Sequence, residues 1–260
     1  MALFWLAYLL ILFAASIPKG MAPPGWGQLV WGAVSSLALV GLTLVLIRRE
    51  GRSAADVGLG RAAVRALLFA VGLLIGCALM AVLFGIAALL SGPMHVTAAP
   101  IGLGAVVLNI ATFVALAVME EVGFRGYPLR TLAPAFGVWP AQAVVAIAFA
   151  ATHLLYGWAL STVLLGVLPS ALLFGVAAIV SRGLALPIGL HLSLNLAQWA
   201  TGAKGGGLCT VTFAGNTSGW RGAAEPWVGC LVTLTVAAAL WVYYPTGAVD
   251  RRLDWQGRKA

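Results

Sequence analysis

The sequence predicts an all-α polytopic membrane protein, a single integral membrane domain over residues 1–260 with about eight transmembrane helices. Three observations predict it. Hydrophobic residues make up 62% of the chain and charged residues 8%, where a soluble domain carries about 25% charged residues. The mean hydropathy is +1.02. The apolar runs are long and continuous, whereas a membrane barrel shows short alternating segments, and backbone groups in lipid must be satisfied inside helices or closed barrels.

Eight runs are candidate spans, at about residues 2–17, 28–47, 66–90, 101–122, 140–157, 159–180, 184–200 and 227–244. Each is long enough for about 30 Å of hydrocarbon at about 1.5 Å per residue, the first and fifth only barely. The first run lacks a basic n-region and is followed by a poor cleavage sequence, so it reads as a transmembrane helix rather than a removed leader. Pro18, Pro23 and Pro24 close it, Arg48 and Arg49 stop the second run, and Ser91-Gly92-Pro93 ends the third. Pro140 and Pro187 suit the first turns of the fifth and seventh. Trp227, Trp241, Tyr243 and Tyr244 sit where interfacial aromatics sit, at the ends of the eighth. Asn216-Thr217-Ser218 matches a glycosylation sequon in the longest external connection, 201–226.

The formal charge of +8 would suggest nucleic acid in a soluble protein. Here the basic residues lie at span ends and in short connections, which excludes a nucleic-acid partner and makes them topology signals. With the N-terminus in the cytoplasm, the external side keeps only Lys19, Lys204 and Arg221 of the fifteen basic residues, leaving twelve inside. Both termini are therefore expected in the cytoplasm, in a multi-pass protein of a bacterial inner membrane. Cys77 reads as a core residue, while Cys209 and Cys230 bracket one external loop and pair if that side is oxidising.

Against this apolar background one stretch stands out. Residues 101–119 carry no charged side chain, and then Glu120, Glu121 and Arg125 arrive together. Glu120 and Glu121 are the only acids of the seven at the edge of a span. A carboxylate at membrane depth costs about 2.5–3.5 kcal/mol on insertion scales unless paired, hydrated or protonated. Glu121 and Arg125 are an i,i+4 pair, so Arg125 neutralises Glu121, and Glu120, turned by about 100°, faces the bundle. Phe149 and His153 share a face of the fifth span, and His191 and Asn195 a face of the seventh.

Taken singly, these residues have bland readings: a packing histidine, interhelical amide glue, a structural ion pair. Taken together, two Glu, two His and one Asn on three apolar helices converge on one polar site. A carboxylate there serves as general base on water, an imidazole orients the water, and an amide donates to an oxyanion. The same residues also suit a zinc site built from His153, His191 and Glu120. Peptide-bond hydrolysis by activated water is the most economical chemistry. Two other classes stand beside it: a non-catalytic immunity or scaffold protein that binds a peptide, and a proton-coupled transporter.

Glu120-Glu121-x-x-x-Arg125, Phe149-x-x-x-His153 and His191-x-x-x-Asn195, in this order on separate spans, resemble the three motifs of the CPBP intramembrane proteases. That family includes type II CAAX prenyl endopeptidases and bacteriocin-processing and immunity-related members. The resemblance covers about residues 105–200 and implies a CAAX-protease-like bundle with a buried polar cavity open to the cytoplasmic side, its catalytic core at about 101–200. It implies that Glu120 activates the hydrolytic water, His153 assists, His191 and Asn195 stabilise the oxyanion, and Glu121, Arg125 and Phe149 support them. The implied partners are membrane lipid and a peptide or protein substrate, prenylated or membrane-anchored. It leaves a divalent metal, zinc, as an open cofactor; Asn is an unusual zinc ligand, and the neighbouring Arg125 disfavours a dication.

Overall fold

The computed structural model describes residues 1–59, 62–215 and 220–243. Its eight helices are α1 (Ala2–Met21), α2 (Gly27–Arg49), α3 (Ala62–Ser91), α4 (Leu103–Phe136), α5 (Val138–Leu155), α6 (Leu160–Ser181), α7 (Ala185–Ala200) and α8 (Trp220–Tyr243). Seven are long and apolar enough to cross a membrane; α7, with 16 residues, falls short by length. The all-α polytopic architecture expected from composition is the one observed. The sequon Asn216-Thr217-Ser218, Tyr244 and the basic tail lie outside the described residues.

The bundle has two unlike faces. On one, the Leu184 amide donates to the Gly58 carbonyl at 3.2 Å, joining the α2–α3 and α6–α7 connections that carry Arg48, Arg49, Arg52 and Arg182. Met1 packs there against a cluster of Phe4, Ile47, Val57 and Tyr127. On the other face, two short strands that the sequence reading did not anticipate, β1 (Met94–Ala98) and β2 (Cys209–Phe213), pair antiparallel from Met94 opposite Phe213 to Ala98 opposite Cys209. They tie the α3–α4 connection to the α7–α8 connection. All three cysteines are free thiols, Cys209 and Cys230 included, and Cys77, read as a core residue, is exposed on α3.

Span four was expected to end at 122, with 123–139 as an arginine-bearing connection. Instead α4 widens into a π turn over Val122–Gly126, bends at Gly126 (ψ −109°) and continues to Phe136. Pro128 explains the widening: with no N–H, it cannot close the bond to the carbonyl four residues back, and the ladder adjusts. α6 repeats the device, with a π turn over Val163–Val167 two residues before Pro169. The arginines that read as loop charges are buried in the bundle. Arg125 Nη2 donates to the Ala171 carbonyl at 3.0 Å and Arg130 Nη2 to the Ala178 carbonyl at 2.8 Å, both on α6. Pro18 and Pro226 likewise lie inside α1 and α8 rather than ending them.

Glycines set how close α7 comes to α3. Gly72 and Gly76 on α3 meet Gly189 and Ser193 on α7. A Cβ at Gly72 would lie 2.2 Å from the Leu186 carbonyl oxygen, and one at Gly189 would lie 2.2 Å from that of Phe69. Small residues four apart let two backbones touch in lipid, where there is no hydrophobic force between helices. This contact holds α7 in the bundle and presents His191 from a helix buried along Gly189–Leu194.

Candidate active site

The floor of the site is a buried ion pair. Glu121 and Arg125 are both 0% exposed, with Arg125 Nη1 donating to Glu121 Oε1 at 3.2 Å. The guanidinium is also covered by aromatic faces, its carbon 4.3 Å from the Phe149 ring centre and 5.5 Å from that of Phe174. Packing a cation over ring faces offsets part of its desolvation. Gln142 shares the anchor, its Nε2 donating to the same Ala171 carbonyl at 3.1 Å.

His191 joins this floor to the cavity above it. Its Nδ1 donates to Glu121 Oε1 at 2.9 Å, and its Nε2 lies 3.5 Å from Glu120 Oε2. Phe174 stacks on the imidazole, with centroids 4.4 Å apart and planes within 14°. A carboxylate accepts and never donates when ionised, so Glu121 fixes the Nδ1–H tautomer. Nε2 of the neutral imidazole then faces Glu120 across 3.5 Å with its lone pair. His153 has the same tautomer for a different reason: its Nδ1 donates to the Phe149 carbonyl at 3.0 Å. The Phe149 ring is 4.7 Å from His153 and 6.3 Å from His191, a wall between the two imidazoles.

Above the floor lies a cavity of about 1380 Å³, lined by Glu120, Phe149, His153, Phe174, His191 and Asn195 among others. The two adjacent carboxylates thus divide as expected: Glu121 is sealed, while Glu120 is 13% exposed and reaches the cavity. The sequence reading gave Glu121 one partner, Arg125; the structure gives it two. Asn195 lies one turn beyond His191, its Oδ1 accepting from Lys204 Nζ. Asn109, three turns before Glu120 on α4, donates to the Ala105 carbonyl and lines the cavity.

The cavity reaches outward to Lys19 in the last turn of α1, Gly25 on the α1–α2 connection, Trp158 on the α5–α6 connection, and Lys204 and Gly205 on the α7–α8 connection. These belong to the face that carries the hairpin. None of its lining residues comes from the arginine-bearing connections at 50–59 or 182–184. The expected orientation has the arginine-rich face in the cytoplasm, and the expected cavity opens to the cytoplasmic side; with the cavity reaching the hairpin face, the two expectations do not hold together. The reason is local: the side chains of Arg125 and Arg130, bonded to α6, fill that end of the bundle.

Several residues escaped the sequence reading. Gly123, inside the Glu-Glu motif, lets Tyr8 lie against α4; a Cβ there would be 2.6 Å from Tyr8 Cε2. Gly175 makes room for Gln142 in the same way, with the amide only 1.9 Å from where a Cβ would stand. Phe174 and Gln142 gave no signal, one being apolar among apolar residues and the other a lone amide. Lys204 had one: it is among the few basic residues on its face. Among the described residues, no three His, Cys, Asp or Glu side chains are grouped as a metal needs. His191 Nε2 and Glu120 Oε2 lie 3.5 Å apart, but the Phe149 ring stands between His153 and His191, so the donor set His153, His191 and Glu120 is not gathered around one point as it stands.

Residues 100–197 match the family model described as type II CAAX prenyl endopeptidase Rce1-like. No curated protein and no solved structure matches the chain. The matched segment is less than half of the 260 residues and contains Glu120, Glu121, Arg125, Phe149, His153, His191 and Asn195; over it the chain is similar to the type II CAAX prenyl endopeptidases, within a multi-pass membrane protein.

Proposed function

We propose that the protein is an intramembrane endopeptidase that hydrolyses a peptide bond with a water activated by Glu120. The observation that carries this reading is the placement of Glu120: it alone of the two acids faces a large cavity, and it sits against an imidazole already oriented by the other. Glu120 takes a proton from the water as the oxygen attacks the scissile carbonyl, sharing it with His191 Nε2. Positioned base catalysis of this kind contributes about 10²–10⁴-fold. The Asn195 amide and the protonated His191 donate to the oxyanion, each such donor being worth about 10²–10³-fold. His153, whose Nε2 is the acceptor in its neutral form, holds the water. The proton then passes to the leaving amine, giving one new carboxylate and one new amine.

The reaction as derived uses protein groups alone and routes no step through zinc. The cavity walls combine apolar side chains such as Leu79, Leu83, Leu116 and Leu165 with polar ones such as Gln28, Thr112 and Gln198, which suits a peptide whose backbone is bound beside an apolar segment, prenylated or otherwise anchored. The charge distribution puts both termini in the cytoplasm of a bacterial inner membrane and the cavity mouth on the opposite side. The test is cleavage of a fluorogenic peptide library, with lipidated members, by the purified protein in detergent, with and without a chelator. Cleavage that survives the chelator supports glutamate chemistry; cleavage lost to it moves the reaction to a metal; no cleavage of any member favours the binding protein.

A further inference from the structure

We propose that Lys204 is a positioning residue, which fixes the Asn195 amide so that its N–H₂ group points into the cavity. The inference rests on the reading of Asn195 as an oxyanion donor. Lys204 lies outside the matched segment and on a connection, not on a span. Its ammonium is donor-only, so the atom of Asn195 that it meets has to be Oδ1. The two ends of a planar amide diverge, and Nδ2 is thereby turned away from Lys204. Asn195 lines the cavity, and among the described residues no protein acceptor takes Nδ2. Left unpinned, an amide rotates and presents oxygen and nitrogen in turn, and an oxygen aimed at an oxyanion repels it.

The chain is built to bring this lysine back. Gly202, Gly205, Gly206 and Gly207 all take positive φ (84°, 78°, 67° and 124°), which a side chain rarely adopts. The turn is pinned to the end of α7 by Ala203 N–H to the Gln198 carbonyl at 2.8 Å and Leu208 N–H to the Ala200 carbonyl at 3.0 Å. Lys204 then reaches over the Phe113 ring, 5.6 Å from its centre, to a residue nine positions earlier. It remains open to solvent within the cavity, yet burial among the walls pushes its pKa below the usual lysine value, opposed by the charge of Glu120. Among the described residues no carboxylate pairs with it, so its hydrogen bond to Asn195 is its one polar contact.

The test is a double-mutant cycle on the substrate that the peptide library yields. Lys204→Met is expected to lower kcat by about 10-fold or more with KM changed less than about 3-fold, and Lys204→Arg to restore most of the loss. In an Asn195→Ala background Lys204→Met is expected to cost nothing further, because the group it acts through is gone. The same factor lost in both backgrounds overturns the inference, as does a rise in KM alone, which makes Lys204 a substrate anchor. Asn195→Ala at wild-type turnover instead sinks the oxyanion role under it. A readout without substrate checks the contact. The chain has three asparagines, Asn109, Asn195 and Asn216, so the Asn195 side-chain amide is identified in asparagine-labelled protein by its loss in Asn195→Ala. Lys204→Met must shift that signal; an unmoved signal refutes the contact.

Discussion

The two ends of this bundle are built on opposite principles. Toward the arginine-rich face the interior is packed solid: Leu39, Met119, Phe124, Leu129, Val145 and Leu184 form one core, and the charges embedded in it are met by carbonyls on α6 and by the Glu121–Arg125 pair. Toward the hairpin face the helices stand apart around a cavity of about 1380 Å³. Glu121 belongs to the first region and Glu120 to the second, although they are neighbours in the chain. A peptide bond between two residues is enough to separate a structural carboxylate from a reactive one, because a helix turns about 100° per residue.

Predictions follow that break or sharpen this division. Glu120→Gln should abolish turnover, by about 10³–10⁴-fold, while leaving the thermal midpoint near wild type. A midpoint lowered as far as that of a core mutant would mean Glu120 is structural. Arg125→Ala strands Glu121 as a buried unpaired charge and should cost about 3–5 kcal/mol of stability, read as a collapse in detergent-solubilised yield and midpoint. Gly123→Ala forces a methyl into Tyr8 and should cost about 1–3 kcal/mol, with turnover at permissive temperature falling far less than for Glu120→Gln. Ala203→Cys, on the hairpin face and in a background with Cys77, Cys209 and Cys230 replaced by Ser, should label with a membrane-impermeant maleimide from outside intact cells. Labelling only after lysis would put the cavity mouth in the cytoplasm and reverse the orientation drawn from the arginines.

Much of this was legible before any coordinates. The spans follow from hydropathy, and the motif spacings put His153 with Phe149 and His191 with Asn195 on single faces, because one turn of helix is nearly four residues. What failed, failed for identifiable reasons. Arg125 and Arg130 read as loop charges, since carbonyl partners on α6 are invisible in a linear pattern. The π turns at 122–126 and 163–167 answer to Pro128 and Pro169, two prolines to which the hydropathy pattern gave no role. The second bond of Glu121, to His191, joins residues 70 positions apart, and no local rule supplies it. The hairpin was missed because its strands are five residues each in a Gly-rich setting.

The most direct test of the account sets the two carboxylates side by side: Glu120→Gln and Glu121→Gln, purified in the same detergent, each measured for peptide turnover and for thermal midpoint. The account predicts a stable, inactive Glu120→Gln, and a Glu121→Gln that melts early because Arg125 is left buried without its counter-charge. A stable, inactive Glu121→Gln beside a Glu120→Gln that still cleaves would contradict it, by making the sealed carboxylate the one that does the chemistry.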